Sequence, residues 1–318
     1  MNCWYRFAIN LIVIILISCF YVISPVHSLP SSEQVKAGDF LQMGAKNIQL
    51  GNYRKAVKDF TQAIELKSDF NLAYSNRCLA NLQLEEYHNA LADCTIALSF
   101  VPDNTEAYLN RGLAEYRLGN YQAAVLDNNQ AIKLKPYDFR AYYNRGIANA
   151  ALKNHQGAIQ DYNLALTQTS QLSTSASDIY NDRGLVNLEL QNLQAALLDF
   201  SKAIRLNSAD DRAYFNWGCA CAKNKDNWGA LRDFNEVVKL NPSSAIAYVN
   251  RGVAYHNLGY SQAAIKDLQT AAAYFIDRKE TIAYQRTVKL IETVQRQVAR
   301  KVEIANRLGI GDWVIGNG

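Results

Sequence analysis

The stretch Tyr108-Leu109-Asn110-Arg111-Gly112-Leu113, followed by Tyr116 and then by Leu118-Gly119-Asn120-Tyr121, decides how this chain folds. Tyr108, Leu109, Gly112, Leu113 and Tyr116 recur at the spacing that gathers side chains on one face of a helix. Gly119-Asn120 breaks the stripe with a turn, and Ala124, Leu126 and Ala131 begin a second one. The stretch therefore reads as two short helices folded back on each other.

The same stretch returns along the chain. Asn-Arg-Gly stands at 110–112, 144–146 and 250–252, with near copies in Asn76-Arg77-Cys78, Asp182-Arg183-Gly184 and Asn216-Trp217-Gly218. A degenerate first copy ends in Gly44. The last residue of each copy serves as an anchor, at 44, 78, 112, 146, 184, 218 and 252, so every step is 34 residues except one of 38. Twelve residues beyond every anchor stands Ala: Ala56, Ala90, Ala124, Ala158, Ala196, Ala230 and Ala264. Nineteen beyond come Ala63, Ala97, Ala131, Ala165, Ala203, Val237 and Ala271. Between these lies a bulky site, Phe60, Tyr162, Phe200, Phe234 or Leu268, with Cys94 and Asn128 as exceptions. Small residues let two helices approach closely, and large ones fill the holes. One pair cannot bury its apolar face alone, so neighbouring pairs must stack.

On these residues the chain resembles the tetratricopeptide-repeat family from residue 36 to residue 276; the 34-residue period and the Leu118-Gly119-Asn120-Tyr121 turn match the family's own. The resemblance implies an all-α fold, a right-handed superhelical solenoid of antiparallel helix pairs with a C-terminal capping helix. Seven repeats are expected, over 37–70, 71–104, 105–138, 139–176, 177–210, 211–244 and 245–276. The four extra residues fall near Gln171–Ser177 and predict a longer loop there. Residues 277–308 carry an apolar helical stripe, Ile291, Val294, Val298, Val302, Ala305 and Leu308, which resembles the extra helix that covers the open end of such arrays. Residues 309–318 read as a flexible Gly-rich tail.

The first 28 residues form a separate object. Arg6 precedes an apolar stretch over residues 7–23, and Val26-His27-Ser28 supplies the residues that a signal peptidase reads. The leading expectation is a secretory signal removed after Ser28. An uncleaved membrane anchor through residues 7–23, or lipidation at Cys19 behind Leu16-Ile17-Ser18, are the rivals. Residues 29–36 read as a linker. The protein is thus expected to be exported (periplasmic, lumenal or secreted) or held at a membrane. Of the mature cysteines, Cys219 and Cys221 lie two apart on one helix, and Cys78 and Cys94 stand at small or core positions. Buried small hydrophobes are expected rather than disulfides.

The formal net charge is +4, with 19% charged residues and both signs interspersed, which argues against a nucleic-acid binder. His27, His88, His155 and His256 make no metal-ligand pair, and no nucleophile or phosphate-loop motif occurs. No cofactor, metal, small-molecule substrate or catalytic residue is expected. An Asp recurs fifteen residues after each anchor, and seven copies at solenoid spacing read as a structural ladder. Its members are Arg77, Arg111, Arg145, Arg183 and Arg251 with Asp59, Asp93, Asp127, Asp161 and Asp233. Each of these Asp is expected to pair with the Arg of the next repeat, as Asp93 with Arg111, while Asp199 would face Trp217 and lack an Arg; pairing inside one repeat is the rival.

The resemblance further implies that the first helix of each pair lines a concave face. Its groove residues would be Leu109, Leu113, Tyr116, Arg140, Tyr143, Ile147, Leu185, Arg212, Phe215 and Val249. A mostly apolar, aromatic groove suits an amphipathic helix or an extended apolar peptide. Some family members grip chaperone tails through Lys, Asn and Arg on successive first helices. This chain has Asn76, Asn110 and Asn144 but not the Lys and Arg. The resemblance therefore implies a non-enzymatic scaffold for a protein or peptide partner. The alternative is a membrane-anchored factor for assembly or maturation of a complex.

Overall fold

Each anchor segment and each segment beyond it folds as a helix. The computed structural model describes residues 32–170 and 173–307, and among these fifteen helices form and no strand. They fall into two compact units, the first ending at Pro136 and the second starting at Tyr137. In the first unit lie α1 (Ser32–Gln49), α2 (Tyr53–Leu66), α3 (Asn71–Gln83), α4 (Tyr87–Phe100), α5 (Thr105–Arg117) and α6 (Tyr121–Leu134). The second unit begins with α7 (Phe139–Ala151), α8 (His155–Gln168), α9 (Thr174–Glu189) and α10 (Leu193–Leu206). It continues with α11 (Asp211–Lys223), α12 (Asn227–Leu240), α13 (Ala245–Asn257), α14 (Ser261–Asp277) and α15 (Thr281–Arg307). Inside each unit consecutive helices pack, and first helices also touch the next first helix, as α3 with α5 and α9 with α11. The first helices therefore lie along the inner side of each unit.

The turn inside every pair is one backbone device. The amide of Gly119 donates to the Tyr116 carbonyl at 3.0 Å and that of Asn120 to the Glu115 carbonyl at 2.8 Å, the two bonds of a Schellman motif. The residue between must adopt a positive φ, which glycine takes at 51, 119 and 259. Glu85, Lys153, Gln191 and Lys225 hold the same place with φ of 62° to 64°, an unfavourable conformation for a residue with a Cβ. Their turns keep both bonds, so packing of the pair imposes the conformation. In two of the pairs the next residue caps the second helix with its side chain: Asn154 accepts from the Gly157 amide and Asp226 from that of Gly229.

The anchor glycine and the bulky residue sixteen places later meet face to face. A Cβ built on Gly44, Gly146, Gly184 or Gly218 would lie 2.5 to 2.8 Å from the ring of Phe60, Tyr162, Phe200 or Phe234. Glycine is thus obligatory wherever the partner is aromatic. Those rings are all but fully buried. In the third pair Asn128 occupies the hole, its amide donating to the Ala124 carbonyl at 2.8 Å. The second pair has Cys78 as anchor and Cys94 as partner, and the two form a disulfide with Cα atoms 5.4 Å apart. This corrects the expectation of buried thiols there. Two side chains at facing lock positions are close enough to bond. Cys219 and Cys221 are buried in α11, as expected.

The ladder pairs inside repeats, which overturns the expected pairing between them. Arg77 binds Asp93, Arg111 binds Asp127, Arg145 binds Asp161, Arg183 binds Asp199 and Arg251 binds Asp267, at 2.6 to 2.7 Å in the shortest contact of each. The reason is register. The Arg precedes the anchor and the Asp precedes its lock partner, so both pairs span sixteen residues and sit level across one turn. The guanidinium also lies over a Tyr one turn earlier, as Arg111 over Tyr108 at 5.5 Å. Asn81, Asn149 and Asn187 donate to the same carboxylates from the first helix. Neighbouring repeats are joined by the spare guanidinium nitrogen: Arg77 reaches Thr61, Arg183 reaches Asn163 and Arg251 reaches Asn235.

Two repeats lack the ladder Arg. Met43 stands there in the first, and Asp59 accepts from Asn47 at 2.7 Å. In the sixth, Trp217 takes the Arg place and Arg232 comes from the second helix instead. It pairs with Asp233 at 2.8 Å and lies over Trp217 at 5.2 Å. The same three chemical groups are rebuilt from different positions, so Asp233 does not meet Arg251, and Asp199, expected to lack an Arg, has Arg183.

Two boundaries also shift. Helix α1 starts at Ser32, inside the expected linker. Helix α9 starts at Thr174 with Ser173 as its cap, so the extra residues partly lengthen a helix rather than a loop. Helix α15 packs on α14 and buries Ala283, Thr287 and Val294. The leader (1–28), Leu308 and the tail (309–318) lie outside the described residues. Among the described residues no helix is long and apolar enough to cross a membrane.

Candidate functional site

In each unit the first helices have a face that the closure of the repeats does not consume. Along it the expected groove residues divide into two sets. Leu109 is 3% exposed, Tyr143 6% and Ile147 7%, so these three belong to the interior and not to an open groove. Position in the repeat does not decide this, because Leu113, Leu185, Phe215 and Val249 stand at the same places, three residues before or one after an anchor. Leu113, Tyr116, Leu185, Phe215 and Val249 are half-buried. Each rests on the core beneath: Leu113 on the cluster around Cys78 and Cys94, Phe215 on Phe234 at 5.8 Å and Val249 on the cluster around Ala271 and Phe275. Tyr116 lies 5.5 Å from the Tyr121 ring. Asn76, Asn110, Asn144, Asn216 and Asn250 add a half-buried amide two residues before their anchors.

In the second unit this face carries a polar network. The Tyr143 hydroxyl on α7 donates to Asp182 on α9 at 2.8 Å. Asn181 also donates to Asp182, at 3.4 Å, and Asn216 on α11 donates to the Asn181 oxygen at 2.9 Å. A second chain runs beside it, with Arg212 on α11 bound to Asp178 on α9 at 2.6 Å and to Asp210 at 2.9 Å. Arg140 is held by Asp138 at 2.6 Å. The two arginines expected in a groove are therefore engaged with carboxylates that cap their own helices.

Asp182 stands where five other repeats have Asn, and it is buried. Burial pushes its carboxyl up to about 6, against the pull of the Tyr143 hydroxyl and of Arg212. Tyr143 is held well above the ordinary phenol range, first by burial and then by Asp182 and Asp178. Asp178 is raised by burial, which Arg212 partly offsets. Burial opposes the Arg212 charge, but Asp210 and Asp178 more than compensate and hold its pKa above the usual arginine value. Asp182 is absent from the expected groove residues; its signal was an acid interrupting a row of amides. Among the described residues no group of His, Cys, Asp and Glu has the geometry to hold a metal.

Antiparallel helix pairs closed by a repeating glycine lock, with a mixed apolar and amide face along the first helices, define a helical-repeat protein. The family profile of the tetratricopeptide repeat matches residues 80–139, 129–173 and 215–278, and a second profile of the same repeat matches 47–70 and 177–210. The chain belongs to the tetratricopeptide-repeat family. It is similar in fold to a tetratricopeptide repeat protein from Parabacteroides merdae, at 18% identity and a TM-score of 0.62, over 80% of this chain and 99% of that one. It is also similar to a chain of the APC/C hetero-tetramer Cut9-Hcn1, at 18% identity and a TM-score of 0.62, over 69% of this chain. This chain spans only 43% of that one. No curated protein sequence matches it.

A raised carboxyl pKa fixes the sign of a pH effect. The folded chain holds the Asp182 proton more tightly than the unfolded chain does. That stabilisation is full below about 4, the ordinary carboxyl pKa, and is lost as pH rises through about 6. Asp182→Asn removes it while keeping an acceptor for Tyr143. The stability difference between variant and native protein, from denaturant titrations, should move by about 1–3 kcal/mol in favour of the variant between pH 4.5 and pH 7.5. A difference that stays flat with pH contradicts the buried carboxylate.

Proposed function

We propose that the protein is a non-enzymatic interaction scaffold, exported or held at a membrane, whose first-helix face receives a peptide or helix of a partner protein. One observation carries this reading. In each unit apolar side chains stay half-buried on that face, Leu113 and Tyr116 in the first and Leu185, Phe215 and Val249 in the second, beside Asn amides that recur in its repeats. Apolar contacts supply affinity, and an amide can both donate to and accept from a peptide backbone. The carboxylates that might have done chemistry are engaged by the Arg and Asn of their own repeats. The Cys78–Cys94 disulfide supports export, because such bonds persist in oxidising compartments. The apolar stretch at 7–23 supports it as well.

The binding reading is tested on the partner recovered by affinity capture from the native compartment. Phe215→Ala should weaken its binding by about 1–3 kcal/mol, measured by calorimetry, with helicity retained. Leu198→Ala, 57% exposed on the second helix α10, should leave binding unchanged. The opposite pattern places the partner on the outer face. For the leader, amino-terminal sequencing of the mature protein should begin at Leu29. A chain beginning at Cys19 would mark a lipoprotein, and an intact Met1 a retained anchor.

A further inference from the structure

The second repeat departs from its neighbours at both ends of the lock. Elsewhere the anchor is glycine and the residue sixteen places on is Phe, Tyr, Leu or Asn. Here the anchor Cys78 has a Cβ, which excludes an aromatic partner, and Cys94 is too small to fill the hole that a ring fills. Both are fully buried within the cluster of Leu82, Ala90, Ala97, Leu98, Ala107 and Ala114. We propose that the Cys78–Cys94 cystine is a redox-controlled lock, a covalent substitute for the packing contact that closes the other repeats.

Locking oxidises the two thiols. One S–S bond forms between Cys78 and Cys94 and two S–H bonds break. Two protons and two electrons pass to a disulfide-bearing oxidant, whose own S–S bond becomes two thiols. A dithiol reductant runs the same exchange backward. In the reduced state the second repeat has neither a bond nor a ring at its crossing, and two unbonded sulfurs cannot approach as bonded ones do. The Arg77–Asp93 pair and the turn at Glu85 still join α3 to α4, so the pair loosens rather than detaches. Because both sulfurs are buried, a reductant reaches them only when that helix pair opens. The lock is therefore kinetically shielded: it persists in an oxidising compartment and yields to a dithiol reductant only as fast as that helix pair opens.

The test uses the full chain, native and Cys78→Gly/Cys94→Phe, which installs the lock of the other repeats. Melting and hydrogen exchange are followed with and without a phosphine reductant, and free thiols are counted by alkylation and mass spectrometry. Reduction should lower the native midpoint by about 5–10 °C. It should speed exchange in α3 and α4 first, and the double variant should show no such shift. The inference is overturned if Cys78 and Cys94 are both alkylated while the native midpoint and exchange stay the same. It is equally overturned if the double variant responds to reductant as the native chain does. Should the double variant fail to fold, exchange in α3 and α4 of the native chain, with the thiol count, still decides the matter.

Discussion

Everything in this fold depends on how closely two antiparallel helices can cross. The crossing point is the anchor, and the residue sixteen positions later fills the space that its missing side chain leaves. Gly184 and Phe200 show the requirement in its simplest form: a single added carbon would lie 2.7 Å from the ring. Once that contact is made, the Arg and Asp one residue earlier are necessarily level. The two-pronged ion pair of Arg183 with Asp199 follows from the same geometry. The lock sets the distance between the helices and the ion pair sets their register.

The irregular repeats show that this constraint is satisfied by more than one chemistry. A cystine replaces glycine and ring in the second repeat, and Asn128 fills the hole in the third with a hydrogen bond to its own helix. In the sixth repeat, Trp217 and Arg232 exchange the places of cation and acid-bearing helix but keep cation, ring and carboxylate together. Arg232 is 62% exposed in its side chain, against 17% for Arg251, so this rebuilt pair is the more hydrated of the two. In the second and sixth repeats a change at one position is answered at another position that meets it. That leaves the inner face of the first helices free to differ between repeats, which is where specificity belongs.

The period, the anchors and the small residues at the crossings were legible because each recurs by identity, and seven registers agree. The helices and the turn followed from them, and the capping helix from its own apolar stripe through Ile291, Val294 and Val298. The direction of pairing was not legible, since a spacing along the chain does not say which of two neighbouring helices an Asp faces. The disulfide did leave a signal: Cys78 and Cys94 are exceptions at two positions that face each other. Resemblance alone placed Tyr143 and Ile147 in an open groove. Their burial depends on how first helices of adjoining repeats meet, and no single repeat records that. Asp182 was visible as an interruption in a row of Asn, but its proton affinity comes from burial and from Tyr143.

The central claim is that each repeat is closed from within. A pair of double-mutant cycles tests it most directly, on Arg183 with Asp199 and on Arg183 with Asp161, by chemical denaturation. Closure within the repeat predicts a coupling of about 1–3 kcal/mol for Arg183 with Asp199. It predicts a coupling within about 0.5 kcal/mol of zero for Arg183 with Asp161. The reverse order, with the larger coupling between Arg183 and Asp161, would contradict it.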